Sequence, residues 1–255
     1  MLISQQDLPS IKLPKTLQWT YPLIDQISKK LDPSLNHENN FPCIFARRVF
    51  SLLNFRFLTV NWCEDQHTYN FKSFADELSF FLEETKQSDE NINNIEPLIV
   101  LFEPVKFIFS THHYEKIFFD SLQYLIDHDK IAWNGCLPKN PNQEFWTMCF
   151  SGVQIFINVS HPNHKNRNSR NLCDTLVFVI NPRERFDKFA GNNKKGHKIR
   201  ERIRNNIDKY DLISRSPYLG HYQDGDLEWP QYMIPDDNDS PSTKCPLNFN
   251  LVKHQ

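Results

Sequence analysis

Two apolar-rich runs, EFWTMCF (144–150) and VQIFINV (153–159), are separated only by Ser151 and Gly152. A two-residue connection containing glycine joins antiparallel strands, so the segment predicts a β-hairpin late in the chain. EPLIVLFEP (96–104) reads as a strand between prolines, and TLVFVI (175–180) as another. FPCIFARRVF (41–50) and FRFLTVNW (55–62) are aromatic and β-branched enough to predict strands or a strand flanking a turn. Helical spacing takes over elsewhere. Phe71, Phe74, Leu78, Phe81 and Leu82 predict a helix over 70–86, and Tyr114, Phe118, Leu122 and Leu125 one over 112–128. Ile199, Ile203, Ile207 and Tyr210 predict a third whose other faces are basic, a short helix is expected near Leu23–Leu31, and Asn181-Pro182 starts another. Strands mixed with helices around a hairpin argue for an α+β fold, a mainly antiparallel sheet flanked by helices in a single domain, rather than a doubly wound parallel sheet. Residues 1–40 are expected as a lead-in, 41–238 as the domain and 239–255 as a C-terminal tail, with QSDENINN (87–94) a polar loop and the chain loop-like and acidic from Ser214 onward.

With 255 residues, one hydrophobic core is feasible. Its 21 phenylalanines suit a well-filled interior, and Phe-rich surroundings also suit flat apolar ligands. Six glycines against sixteen prolines leave no Gly-rich phosphate loop, which excludes a Walker or dinucleotide fingerprint. The formal charge of −2 hides an asymmetry: residues 161–204 carry twelve Lys/Arg against four acids, and 205–255 four against eight. An anion-facing segment followed by an acidic one is the expectation. No basic-then-apolar leader pattern opens the sequence and no apolar run is long enough to span a bilayer, which points to a cytoplasmic protein without a membrane partner. The six cysteines are scattered with no Cys-x-x-Cys pair, so free thiols are expected and the Asn158-Val-Ser160 sequon carries no meaning.

The chemistry-bearing stretch is HPNHKNRNSR (161–170). His161 follows an apolar strand and precedes Pro162, so rigid backbone sets its ring. His164, among Asn163, Lys165 and Asn166, suits solvent. The pair is compatible with zinc only if further ligands join, Cys173 and His197 being nearest in sequence. Arg167 and Arg170 suit a planar clamp on carboxylates or phosphates, or a solvated surface pair. KKGHKIRERIR (194–204) suits nucleic acid electrostatically, but it also fits an ordinary amphipathic helix and lacks neighbouring aromatics for base stacking, so no nucleic acid is expected. Cys43 reads as a buried thiol, with Arg47 and Arg48 leaving a nucleophile as the alternative.

The order of these motifs resembles the YqcI/YcgG family. FPC-x-FA (41–46) comes first, then His161-Pro162, Arg167 and Ser169-Arg170. LVFVINPRERFDKF (176–189), KIRERIRNNIDKYD (198–211) and Gln231-Tyr232 follow. Some characterised members of that family are haem-dependent oxygenases that hydroxylate a guanidino nitrogen. The resemblance implies haem b, O2, an external electron donor and a small guanidine or amine substrate. It puts the haem iron on His161, with His164 as the fallback and His112, His113 and His221 next. Arg167, Arg170 and Arg200 are the expected cations for the propionates. The chain departs from the hydroxylase branch at Ser169-Arg170, where that branch has two adjacent arginines, and at Met233-Ile234-Pro235, where it continues Ser-Gly-Arg. A non-catalytic haem carrier or sensor is the alternative.

Overall fold

Period-2 and period-3.6 patterns lay out most of the chain. The computed structural model describes residues 1–35, 40–87, 96–107, 109–239 and 244–249. Strand β1 (Leu2–Ser4) and helices α1 (Thr20–Leu31) and α2 (Ile44–Ser51) come first. Strand β2 (Arg56–Val60), a small ladder of β3 (Trp62–Cys63) with β4 (Thr68–Tyr69), and helix α3 (Phe71–Gln87) follow. Then come β5 (Leu98–Phe102), α4 (Thr111–His128), and the hairpin of β6 (Cys149–Phe150) and β7 (Val153–Ser160). The chain continues with β8 (Val177–Pro182), α5 (Arg183–Ala190), α6 (Lys194–Tyr210) and the short α7 (Trp229–Tyr232).

The main sheet has the order β1-β2-β5-β8-β7-β6. Only β2 and β5 pair in parallel, with α3 in the connection between them, and the other neighbours are antiparallel. The α+β reading with a mainly antiparallel sheet therefore holds. Both faces of the sheet are covered. Leu58, Val100 and Phe178 pack with Phe74 and Leu78 of α3 and Phe118 and Leu122 of α4. Phe57, Ile99 and Val177 pack on the other face with Ile24 and Ile27 of α1 and Val49 of α2. Phenylalanine fills the first core by edge-to-face contact: Phe178 meets Phe102 at 4.6 Å and Phe118 at 5.4 Å.

Four expectations change. FPCIFARRVF is helical, not a strand: Pro42 and Cys43 stop the extended chain, and the Cys43 Sγ caps α2 by accepting from the Ala46 N–H at 3.5 Å. The first arm of the hairpin is short. Only Cys149 and Phe150 pair in the ladder, because Phe145 turns left-handed at φ 64° and the Met148 N–H donates to the Tyr232 hydroxyl. The turn itself is as expected, with φ 50° at Ser151 and 72° at Gly152, the conformation glycine favours. The lead-in is part of the sheet, since Leu2–Ser4 adds its edge strand. The expected tail returns to the core, where Cys245 and Leu247 are buried. Most of the expected loop at 87–94 lies outside the described residues.

Candidate functional site

Strand β7 decides which side chains share a surface, because alternate residues face opposite ways. Ile155, Ile157 and Val159 enter the core beneath α3 and α4. Phe156, Asn158 and Ser160 line a cavity of about 240 Å³ on the other face. Val179 and Asn181 of β8 extend its floor. Helices α2, α5 and α6 supply the walls, through Phe45, Phe186, Phe189, Ile203 and Ile207 among others. The isoleucine stripe of α6 thus faces a cavity rather than a filled core, and its residues are only half-buried. Six of the 21 phenylalanines line this space, together with Arg48, Arg170, Arg183, Arg185, Arg200 and Arg204. No acidic residue is among the described residues that line it. Aromatic walls ringed by guanidinium groups suit a flat apolar ligand that carries negative charge.

The arginines are anchored by the fold. Arg170 is buried and donates to the carbonyls of Tyr232 at 3.1 Å and Gln231 at 3.2 Å. Arg200 donates to the carbonyls of Ala190 and Gly191 at the α5–α6 corner and pairs with Asp224 at 3.2 Å. Arg183 pairs with the buried Glu228 at 2.6 Å and lays its guanidinium 4.0 Å from the Tyr222 ring centre. Glu228 also accepts from Thr147 and Tyr232, both at 2.7 Å. Arg167 differs from the others. It does not line the cavity. Its guanidinium donates to Pro235, to Ser214 at 3.2 Å, to Asp237 at 2.8 Å and to Asn238. The fold brings Arg170 and Arg200 to the cavity, and uses Arg167 to tie the 214–238 segment down.

The histidines divide the same way. His161 continues the odd-numbered face of β7 and stacks between Tyr114 of α4 at 4.7 Å and His164 at 3.8 Å. Neither of its ring nitrogens has a hydrogen-bond partner, and it is not among the residues lining the cavity. Burial, helped by the neighbouring His164, pulls its pKa down to about 2. His164 was expected in solvent and is instead fully buried. Residues 234–236 fold over it: His164 Nε2 lies 2.9 Å from the Ile234 carbonyl, and the Asp236 carboxylate accepts from the backbone N–H groups of Lys165, Asn166 and Arg167. His112 is exposed on α4, and His113 closes a capping box with Ser110 at the start of that helix.

His221 does line the cavity. It is 3% exposed and both ring nitrogens lack a hydrogen-bond partner. The nearest carboxylate oxygens stand at 3.9 Å, from Asp187 beside Nε2 and from Asp224 beside Nδ1. Burial lowers its pKa to about 4, with Arg200 and Arg183 adding to the effect, so the ring is neutral at pH 7. By sequence alone His221 stands behind His161 as a candidate. The available signal was Asp224 and Asp226 three and five residues on, which fold back on it: Asp226 accepts from the His221 N–H at 2.8 Å.

The remaining alternatives find little. Burial raises the Cys43 thiol, against the weaker pull of Arg47, so it is not poised as a thiolate nucleophile. His197 sits on α6 against Asn192 and Arg200, apart from the buried pair. No group of three or more His, Cys, Asp or Glu gathers among the described residues as a metal-ligand set, so zinc lacks a donor shell there. All six cysteines are free, and no helix among the described residues is long and apolar enough to cross a membrane.

Comparison with known proteins adds three relatives. A Streptomyces lavendulae protein, provisionally named N(omega)-hydroxy-L-arginine synthase DcsA, is 35% identical over 235 residues, covering 91% of this chain and 84% of the relative. Two uncharacterised Bacillus subtilis (strain 168) proteins also match. YcgG is 30% identical over 83% of this chain and 82% of its own length, and YqcI is 28% identical over 96% and 94%. No solved structure matches. Residues 29–248 match the YqcI/YcgG family, and the protein belongs to it.

Proposed function

We propose that this protein is an oxygenase that holds haem b in the arginine-ringed cavity and hydroxylates a nitrogen of a guanidino or amino substrate, using O2 and an external reductant. The observation that carries the reading is the cavity's combination of aromatic walls, anchored guanidinium groups and a neutral, unpartnered imidazole. That set fits haem, which asks for an apolar slot, cations for two propionates and an axial donor. When bound, the group would supply O2 activation at its iron.

The chain's own residues do the rest. Phe156, Phe186 and Phe189 exclude water and face a planar ligand. Arg170 and Arg200 turn positive charge toward the cavity, and their existing bonds to backbone carbonyls fix them before a ligand arrives. Preset donors lose little conformational freedom on binding. The arginine rim also suits the carboxylate of an amino-acid substrate. The name of the Streptomyces relative, an N(omega)-hydroxy-L-arginine synthase, supports arginine as the first substrate to try.

The test is direct. Protein reconstituted with haemin should show a Soret band at near one haem per chain. Supplied with a reductant, O2 and L-arginine or related amines, it should yield a product one oxygen heavier by mass spectrometry. Absence of a Soret band sinks haem binding. Haem that binds and cycles while no amine gains oxygen leaves a non-catalytic haem carrier or sensor.

A further inference from the structure

The geometry points to His221, not the His161 of the His-Pro motif, as the axial ligand of the iron, an inference that rests on the haem reading above. Three observations carry it. The first is position. His221 is the one histidine among the described residues lining the arginine-ringed cavity, whereas His161 lies across the sheet, sandwiched between Tyr114 and His164. Moving His161 to the cavity would require reversing the facing of the end of β7.

The second is the state of the ring. A buried imidazole normally uses its nitrogens in hydrogen bonds. Both His221 nitrogens have none, although the ring is 3% exposed; the same holds for His161, so the open nitrogens make His221 available as a donor and position decides between the two rings. A buried imidazole without hydrogen-bond partners in the wall of this cavity is free to act as a metal donor.

The third is support behind the ring. A ligating histidine characteristically presents its other nitrogen to a carboxylate, which fixes the tautomer and strengthens the donor. Here either choice is served: if Nδ1 binds iron, Nε2 has Asp187 at 3.9 Å, and if Nε2 binds, Nδ1 has Asp224 at 3.9 Å. The backbone is held as well. The His221 N–H donates to Asp226 at 2.8 Å, the His221 carbonyl accepts from Asp224 at 2.9 Å, and Arg204 holds the Gly220 carbonyl at 3.0 Å.

The experiment compares haemin-reconstituted wild type with His221→Ala, His161→Ala, His164→Ala and His221→Cys, each checked for folding by circular dichroism. His221→Ala should retain haem through gel filtration at a level reduced on the order of tenfold, and added imidazole should restore the Soret band. His221→Cys guards against simple misfolding, since a thiolate ligand there should move the ferrous-carbonyl band to the thiolate position. His161→Ala and His164→Ala should keep the wild-type Soret position wherever they fold. A His221→Ala protein with normal haem content and spectrum overturns the inference while leaving the haem reading intact, as does loss of the axial signature in His161→Ala alone. A wild type without a Soret band overturns both.

Discussion

By local sequence Arg167 and His164 look open to a ligand or to water, and both are interior parts of the fold. Each owes its burial to the same distant segment. The guanidinium of Arg167, 2% exposed, is surrounded by carbonyl groups of residues 214–237, and His164 Nε2 lies against the carbonyl of residue 234. Contacts from 47 to 71 positions away leave no trace in local spacing, so neither was legible. The consequence is a division of labour among the arginines. Arg167→Ala removes a buried charge and strips several carbonyls of their donor, which should destabilise the protein by about 3–5 kcal/mol in chemical denaturation. The surviving folded fraction should still bind haemin in the wild-type proportion. Arg200→Ala should show the opposite emphasis, with weaker haemin retention and an unchanged axial signature.

At the scale of elements, periodicity succeeded where one face of an element sees one environment. The helices at 71–87 and 111–128 and the strand at 98–102 carry unbroken apolar patterns, and they sit where they were expected. It failed at α2, because FPCIFARRVF has strand-like composition and the deciding event is the Cys43 cap. It also stopped short at the site. Phe156, Asn158 and Ser160 of β7 line the cavity and its odd-numbered residues do not, so the parity of His161 was present in the sequence. What was missing was knowledge of which face held the cavity. The loop that delivers His221 has its own geometric requirement. A Cβ on Gly220 would lie 2.2 Å from Asp226 Oδ2 and 2.5 Å from Asp226 Cβ. Gly220→Ala must therefore push Asp226 off the His221 N–H. The expected cost is about 1–3 kcal/mol of stability, with a haemin affinity reduced beyond what the stability loss explains. Parallel thermal melts and haemin titrations would separate the two effects.

For the molecule as a whole, the sheet has buried imidazoles on both sides, and the pair on the α4 side gives stability a pH dependence of definite sign. Burial lowers the pKa of His164 and takes that of His161 down to about 2, while an unfolded histidine titrates near 6.5. As pH falls below about 6.5 the unfolded chain takes up these protons and the folded one does not. Stability is therefore fully present above that value and is lost on acidification, by up to about 1.4 kcal/mol per pH unit for each ring. For His161 the loss runs down towards pH 2. The buried carboxylates of Asp211 and Glu228 work in the opposite direction, because burial raises their pKa and their contribution weakens as pH rises. The net profile of the wild type thus mixes both signs, and the informative quantity is a difference. His161→Leu removes one titrating ring from between Tyr114 and His164 and leaves Asp211 and Glu228 in place. Urea titrations from pH 7.5 to 4.5, with no haemin added, should show the variant's stability falling less steeply than that of the wild type, so that the difference, variant minus wild type, grows as pH drops. Parallel curves over that range would mean that His161 takes up its proton in the folded protein, and that the pocket between Tyr114 and His164 admits water.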